Sequence, residues 1–375
     1  MESDIYRQLQ RHLDIMPVPF PATESGVELR LLKHLFTEEE ASIAVNLSAL
    51  PEPVDKIHKR FKKEHISKAN LKKKLDGLFK KGAIMAVGNS KGEFHYSKIP
   101  LAIGIFEYQV DRITREFAEE FYRFGDEGFA EAILKPKVKQ IRTIPVNMQV
   151  EPKFPVGQYD SARQIIQKSN GPFAVMNCVC RQAKDSMDDP CKQTKIRETC
   201  ITMGQAAQVM KTKGVARYVS KEGIIDLLTQ AEKVGMVLQP QNTQSPTFIC
   251  CCCGCCCGVL TAAKKFDKPA EFLESNFRAR VNTSICTGCE DCMALCQMDA
   301  LVSENNHVEV NPDRCIGCGV CINACPGGAL HLEPKEKQGV PPRDSNEMYR
   351  KMVLERYGVI GALKLMGKVF LGQKI

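Results

Sequence analysis

Apolar residues in the first third of the chain recur at the spacing of amphipathic helices. Residues 27–36 place them three and four positions apart, which predicts a helix. Thr37 and Glu40 match a capping box that opens a second helix. Pro53 can begin a third helix, and Ser67 can cap a fourth. The N-terminal region is therefore predicted to be mainly helical.

The pattern then changes from helical spacing to the alternation of strands. Residues 83–87 and 93–97 predict two short strands, and the glycine-containing segment 88–92 predicts a hairpin turn between them. Three helices followed by a hairpin are typical of a winged-helix domain. A further helix is predicted at residues 108–124, and we place this winged-helix-like domain at residues 1–135.

Extended and helical segments alternate in the middle of the chain, which predicts a small α/β domain over residues 136–280. Strands are predicted at residues 140–150, 172–177, 217–219 and 236–239, and helices at residues 160–168, 204–211 and 221–234. Because eleven cysteines fall in this region, we expect it to be a cysteine-rich domain.

The C-terminal region, residues 334–375, begins as a polar linker and continues as a basic amphipathic helix over residues 346–370. Gly358 and Gly361 interrupt this helix and weaken it as a free-standing element. An amphipathic helix of this kind can pack on its own domain or on a partner subunit, or it can lie on an anionic membrane surface. We favour packing, with peripheral membrane contact as the alternative.

Composition places the chain among globular proteins. Its 375 residues are 43% hydrophobic and 26% charged, which is typical of a globular protein with more than one domain. A run of 18 apolar residues and an N-terminal signal-peptide core are both absent from the sequence. We therefore expect a cytoplasmic, multidomain α+β protein without a transmembrane segment.

All 19 cysteines lie between Cys178 and Cys325, and some of them form an internal repeat. The segments 286–296 and 315–325 each carry cysteine at positions i, i+3, i+6 and i+10. Three thiolates of such a motif can surround one corner of a cubane cluster, and in bacterial two-cluster proteins the fourth ligates the other cluster. A zinc site would leave the third cysteine of each motif without a role.

The repeat therefore predicts two 4Fe–4S clusters in a domain at residues 281–333. Cluster I is assigned to Cys286, Cys289, Cys292 and Cys325, and cluster II to Cys315, Cys318, Cys321 and Cys296. This segment resembles bacterial dicluster ferredoxins. It departs from the repeat at Gln297, which stands where the second motif has Pro326. We expect this change to affect the local backbone and the tuning of a cluster rather than its ligation.

Four further cysteines, Cys178, Cys180, Cys191 and Cys200, predict a third iron–sulfur cluster. If Cys178 and Cys180 lie in an extended segment, they are about 6.5 Å apart on one face and can bind different irons. Cys200 is expected just before a helix whose N-terminal dipole stabilises the thiolate. Arg181 follows directly and can neutralise cluster charge. A zinc site and ordinary buried cysteines are the alternatives.

The segment 250–257 contains seven more cysteines, namely Cys250, Cys251, Cys252, Cys253, Cys255, Cys256 and Cys257. The uncharged stretch around them is too short to span a membrane, and neighbouring cysteines do not easily form disulfides with each other. If the segment is helical, Cys250, Cys253 and Cys257 share one face. We expect some of the seven to complete the third cluster or to bind a fourth, and others only to pack.

The chain as a whole resembles sparsely characterised iron–sulfur proteins of anaerobic bacteria and archaea. The similarity rests on the segments FPATESGVELRLLKHLF, NCVCRQ, ETCITMG, LQPQN, FICCCCGCCCGVL and SNFRARV and covers most of residues 1–332. Members of that family join a winged-helix-like region, a CxCR segment and a CCCCGCCC-type run to a dicluster ferredoxin. The resemblance implies electron transfer, but it implies no particular substrate.

These observations predict a multi-cluster electron carrier, or the electron-transfer subunit of a larger anaerobic oxidoreductase complex. The sequence has no glycine-rich loop for a nucleotide or a phosphate, and no set of residues indicates catalysis of its own. A redox-sensing winged-helix regulator is one alternative. A thiol or disulfide reductase is another, because Cys252-Cys253-Gly254 and Cys256-Cys257-Gly258 resemble CCG motifs, although the long spacing of those motifs is absent.

Positive charge is concentrated in one segment and bears on the choice of partner. The net charge is +8, and residues 56–81 contain eleven Lys and Arg against Glu64 and Asp76. A basic winged helix can bind DNA through phosphate contacts, but this segment has few residues suited to reading bases. Winged-helix domains also dock onto proteins. We therefore favour an acidic redox protein as the partner, with nucleic acid or a purely structural role as alternatives.

Overall fold

The computed structural model describes residues 4–61, 66–89, 91–146, 159–370 and 373–374. The chain combines helices with sheets and forms two compact units. The first unit contains residues 1–138 and 349–375, and the second contains residues 139–348. The finer division predicted from the sequence, including the winged-helix assignment, stays a prediction.

The first unit joins short helices to a small antiparallel sheet. Its helices are α1 (Ile5–Asp14), α2 (Val27–Leu35), α3 (Glu38–Ala44), α4 (Val54–His58), α5 (Lys68–Lys81), α6 (Arg115–Phe124) and α7 (Ala130–Leu134). Strands β1 (Glu52–Pro53), β2 (Met85–Gly88) and β3 (Phe94–Ser97) pair in the order β1-β3-β2. The predicted hairpin between β2 and β3 is therefore confirmed.

Local signals fix most helix ends in this unit. The capping box of Thr37 and Glu40 is present, and the side chain of Ser67 caps α5. The helix predicted at residues 108–124 is wrong in its first part, because α6 begins only at Arg115. Asp111 adopts a left-handed conformation with φ of 62°, which a continuous helix does not permit.

In the second unit, a five-stranded antiparallel sheet forms the centre of the cysteine-rich region. Its strands are β4 (Phe173–Asn177), β5 (Glu198–Met203), β6 (Arg217–Val219), β7 (Val237–Pro240) and β8 (Phe248–Cys252), in the order β6-β4-β5-β8-β7. The helices are α8 (Ala162–Lys168), α9 (Val179–Ser186), α10 (Gln205–Thr212), α11 (Lys221–Lys233) and α12 (Gly258–Lys264). The extended segment predicted at residues 140–150 forms two isolated bridges, at Ile141 and Ile144, and residues 147–150 lie outside the described residues.

The repeat region, residues 277–334, follows in the same unit. Its elements are β9 (Phe277–Val281), α13 (Asp291–Ala294), β10 (Leu301–Glu304), β11 (His307–Val310), α14 (Val320–Asn323) and β12 (Leu330–Pro334). Strand β9 pairs with β12, and β10 pairs with β11, both antiparallel. One buried apolar cluster, which includes Ala279, Val308 and Leu330, holds the two halves together.

The C-terminal helix α15 (Ser345–Phe370) is kinked at Gly358, where φ is 64°. Before the kink, Arg356 donates to Met16 O at 2.7 Å and pairs with Asp14 at 2.8 Å, so this part packs on the first unit. After the kink, apolar side chains such as Ile360 are exposed. The helices within the described ranges are too short or too polar to cross a membrane.

Candidate metal centres

The four cysteines assigned to cluster I surround one cavity of the repeat region. The cavity is lined by Cys286, Cys289, Cys292 and Cys325, together with apolar residues that include Val281, Val308 and Leu330. Cys289 is exposed, whereas Cys292 is buried. One edge of this site therefore faces solvent.

The four cysteines assigned to cluster II surround a second cavity. It is lined by Cys296, Cys315, Cys318 and Cys321, together with apolar residues that include Ala279, Leu301 and Val320. The fourth cysteine of each repeat therefore lies at the cavity that the other repeat lines. This crossing ties the two halves of the repeat region into one structure.

A glycine stands before the second cysteine of each repeat because the backbone leaves no room for a side chain. Gly288 and Gly317 have φ of 67° and 65°, a conformation that glycine adopts without strain. A Cβ atom would lie 2.5 Å from the Asn306 carbonyl oxygen at Gly288 and 2.1 Å from the Phe277 carbonyl oxygen at Gly317. The loops that carry the cysteines are thus pressed against neighbouring backbone.

Backbone N–H groups donate to several of these sulfurs. The bonds run from Ala279 to Cys315 Sγ at 3.4 Å, from Ala300 to Cys296 Sγ at 3.2 Å, and from Ala329 to Cys325 Sγ at 3.2 Å. Hydrogen bonds of this kind tune the reduction potential of a bound cluster. Burial raises the pKa of Cys318 to about 12. Metal binding at this cavity therefore has to displace protons.

The five-stranded sheet β6-β4-β5-β8-β7 is called the middle sheet below. Its cysteines and those next to it do not lie in the elements predicted for them. Cys178 caps α9 and Cys180 lies in its first turn, so the extended geometry expected for this pair is wrong. Cys200 lies inside β5, which pairs on both sides, and the helix expected after it begins only at Gln205. Residues 250–257 are not one helix either, because 250–252 end β8 and α12 begins at Gly258.

Four cysteines form the tightest cluster of thiols, which we name the four-thiol group. They are Cys191, Cys253, Cys255 and Cys256, and their sulfurs all lie within 4.8 Å of one another. The Sγ atom of Cys191 is 3.7 Å from that of Cys253 and 3.8 Å from that of Cys255. Thiolates at about 2.3 Å from one tetrahedral ion are about 3.8 Å apart, so the spacing fits a single metal ion.

A further set lies beside it and is named the six-thiol group, made up of Cys178, Cys180, Cys200, Cys250, Cys252 and Cys257. Cys191, which the sequence grouped with Cys178, Cys180 and Cys200, belongs to the four-thiol group instead. Cys251 lies between Cys250 and Cys252 on β8, so alternation along the strand turns it to the opposite face. It is buried there, and burial raises its pKa.

Arg181 is fully buried between the two groups. It donates to the Cys251 carbonyl oxygen at 3.1 Å and to Cys253 Sγ at 3.6 Å, and it also bonds to Thr199. Burial disfavours its charge, but the negative sulfurs of Cys178 and Cys253 outweigh this and raise the pKa of Arg181. No ion pair between Arg181 and a carboxylate occurs in the part of the chain that the structure describes. Its charge is therefore matched by sulfur.

The four-thiol group and the second cavity meet at Gly254 and Gln297. The Gly254 N–H donates to Gln297 Oε1 at 2.7 Å, and Gln297 Nε2 donates to Gln193 Oε1 at 3.0 Å. A Cβ atom at Gly254 would lie 2.1 Å from the Gln297 carbonyl oxygen, so the two backbones touch. Gly254 is bonded to Cys253 and Cys255, and Gln297 is bonded to Cys296, so each side of this contact adjoins a cysteine of one centre.

Two cavities that each gather four cysteines from two repeats define an iron–sulfur-binding region of the dicluster ferredoxin type. A family described as 4Fe-4S dicluster domain matches residues 278–326, which include all eight cysteines of the repeats. No curated protein matches the chain. The four-thiol and six-thiol groups lie outside the matched residues.

Sequence reasoning missed the division of the middle cysteines into two groups and the role of Gln297. The division depends on which strands are neighbours, and spacing along the chain does not reveal this. Gln297 did leave a signal, because it breaks the repeat at the position of Pro326. That position is where the repeat region contacts Gly254.

Proposed function

We propose that the protein is a multi-cluster electron-transfer protein in which two 4Fe–4S clusters of the repeat region exchange electrons with iron held by the middle sheet. The observation that carries this proposal is the contact between Gly254 and Gln297. Both residues belong to one compact unit, and each adjoins cysteines of a different centre.

The route between the centres is short. It leaves cluster II through Cys296, passes to Gln297 by a covalent bond, and crosses one hydrogen bond of 2.7 Å to Gly254. From there it reaches Cys253 and Cys255 of the four-thiol group by covalent bonds. A tetrahedral site of four thiolates suits iron as well as zinc, and only iron there can pass an electron on.

Cluster I is the proposed point of exchange with an external partner. Its ligand Cys289 is exposed, whereas none of the four cysteines assigned to cluster II is exposed. An external electron donor or acceptor therefore approaches cluster I most closely. Cluster II then serves as the step between this entry point and the sheet.

The first unit is proposed to be a winged-helix-like docking module for an acidic redox protein. Its hairpin and α5 supply the elements that such a module needs. DNA is the less favoured partner, because the basic segment 56–81 has few residues suited to reading bases. Four of the six lysines of α5 already pair with carboxylates, which lowers the positive charge available to any anionic partner. These pairs are Lys68 with Asp55, Lys72 with Asp76, Lys74 with Glu39, and Lys81 with Glu40. Partly neutralised lysines contribute less to phosphate binding.

The route is tested by Gln297→Ala in the full chain, purified without oxygen. The substitution removes the bond to Gly254 but no proposed ligand. After rapid mixing with a reductant, freeze-quenched Mössbauer and EPR spectra follow reduction of the repeat-region clusters and of the sheet iron separately. We expect unchanged iron content, normal reduction of clusters I and II, and slower reduction of the sheet iron.

Gln193→Ala is the matched control, because it removes the neighbouring bond to Gln297 and leaves the bond between Gly254 and Gln297 in place. This variant is expected to reduce its sheet iron at the wild-type rate. A middle sheet without iron, or sheet iron that is reduced equally fast in Gln297→Ala, would overturn the proposed route.

A further inference from the structure

The six-thiol group is assembled by strand pairing rather than by a local motif. Cys200 on β5 lies directly opposite Cys250 on β8, and Cys252 is two residues further along β8 on the same face. Residues directly opposite in an antiparallel pair bring their Cβ atoms within about 5.5 Å. Three of the six thiols are therefore fixed side by side by the register of the sheet.

Two helix starts supply the other three thiols. Cys178 follows β4, where its N–H donates to the Arg197 carbonyl oxygen at 2.8 Å, and it caps α9. Cys180 lies in the first turn of α9, and Cys257 caps α12. The ends of β4 and β8 lie at the same end of the sheet, because both pair antiparallel to β5. The backbone positions of all six cysteines therefore lie at one end of the sheet.

The six thiols influence one another electrostatically. Neighbouring thiols shift each other's pKa in the order Cys180, Cys178, Cys200, Cys250, Cys252, Cys257, which agrees with their placement at one end of the sheet. Cys200, Cys252 and Cys257 are buried, and none of the six forms a disulfide. These buried and half-buried free thiols are soft ligands, which select iron–sulfur clusters and zinc.

The number of thiols argues against both of the ordinary occupants. One zinc ion takes four ligands, and a cubane cluster takes one thiolate on each of four irons. Six thiolates are accommodated only if the cluster contains more than four irons or if some thiolates bridge two irons. The buried charge of Arg181, whose Nε atom has no partner among the described residues, supplies the cation that such an anionic cluster needs.

We propose that Cys178, Cys180, Cys200, Cys250, Cys252 and Cys257 form one binding site for an iron–sulfur cluster with more than four protein thiolate ligands, separate from the four-thiol group. The inference rests on the proposed function in that it takes the middle sheet to bind iron. It makes this cluster the terminus of the electron route, one step beyond the four-thiol group and next to Arg181.

The test compares three variants of the full chain, purified without oxygen, by iron and acid-labile sulfide content and by Mössbauer spectroscopy. The double variant Cys200→Ser with Cys250→Ser is expected to lose at least about four irons and their sulfide. It should retain the irons of the repeat region, which number about eight. Cys253→Ser combined with Cys255→Ser is expected to lose only the iron of the four-thiol group. Cys251→Ala, which alters the same strand on its other face, is expected to keep every iron.

The proposal of a separate site is overturned if the iron content of the first double variant is unchanged. It is also overturned if both double variants lose the same spectral component. A middle sheet without iron in the wild type overturns the proposed function as well, so the two failures are distinguishable. Because a double variant can fail to fold, anomalous diffraction at the iron edge from wild-type crystals provides a second measurement. A cluster bonded to more than four of the six sulfurs supports the proposal, and a cluster bonded to four or fewer of them, or no iron there, overturns it.

Discussion

Gly254→Ala tests the junction between the repeat region and the middle sheet most directly. The added Cβ atom would lie 2.1 Å from the Gln297 carbonyl oxygen, whereas ordinary contact begins at 3.4 Å. The two backbones must therefore separate by about 1 Å, since a carbonyl oxygen cannot rotate away as a side chain can. Overpacking of this kind costs about 1–3 kcal/mol, and loss of the bond from Gly254 to Gln297 adds about 1 kcal/mol.

The expected loss in the free energy of unfolding is thus about 2–4 kcal/mol. For a unit of about 200 residues, each kcal/mol lowers the melting temperature by about 2–4 °C, so calorimetry should show a fall of about 4–16 °C. Reduction of the sheet iron by clusters I and II should slow in the same variant. Both measurements are made on the metal-loaded protein without oxygen.

Gly77→Ala is the control for this substitution, because a Cβ atom at Gly77 meets nothing within 4 Å. It lies inside α5, where alanine is the better helix former by about 1 kcal/mol, so its melting temperature should stay or rise. If Gly254→Ala has the melting temperature of the wild type and transfers electrons at the wild-type rate, the contact between Gly254 and Gln297 does not couple the repeat region to the middle sheet.

Three further predictions concern charge, pH and the C-terminal helix. Arg181→Met should lower the iron content of the middle sheet and the reduction potential of any cluster left there. Arg181→Lys keeps the positive charge and should lose less iron. Equal iron content in the two variants would contradict the charge argument. Burial lowers the pKa of His12 to about 3, so the unfolded chain gains a proton below about pH 6.5 that the folded unit does not take up. The contribution of His12 to the free energy of unfolding is complete above that pH and falls by about 1.4 kcal/mol per pH unit below it. Urea unfolding at several pH values measures this dependence, and His12→Gln should lack the His12 part of it. The same dependence on pH in the variant and the wild type would refute the prediction. Arg356→Ala loses the hydrogen bonds to Asp14 and to the Met16 carbonyl oxygen, and it should destabilise the first unit by about 1–3 kcal/mol. The iron content should be unchanged, and a loss of iron would contradict this prediction.

Local signals in the sequence were enough for several elements. The capping box at Thr37, the hairpin of β2 and β3, and strand β6 were all predicted within a residue or two. Each depends on residues close together in the chain, such as a hydroxyl near an N–H or glycines at a turn. The same holds for the repeat, whose cysteine spacing is itself the signature that the 4Fe-4S dicluster family match recovers.

The middle cysteines could not be placed in this way, because their neighbours are set by strand register. Cys200 and Cys250 are 50 residues apart and meet only because β5 and β8 pair. Cys191 reaches Cys253 across 62 residues by the course of a loop. The helix considered for residues 250–257 also fails at residues 250–252, because pairing of β8 with β5 and β7 holds these residues as a strand.

Arg181 limits what can occupy the middle sheet. A buried guanidinium costs several kcal/mol unless an anion compensates it, and its hydrogen bonds to Thr199 and the Cys251 carbonyl reach only neutral oxygens. Burial disfavours isolated thiolates, but the neighbouring cysteines and the charge of Arg181 hold the pKa of Cys178 well below its usual range. A metal site that is bound by several thiolates keeps a net negative charge after iron has bound. The buried arginine is therefore compensated by thiolate sulfur on either side of it, and metal-loaded cysteines would hold that sulfur in the thiolate form.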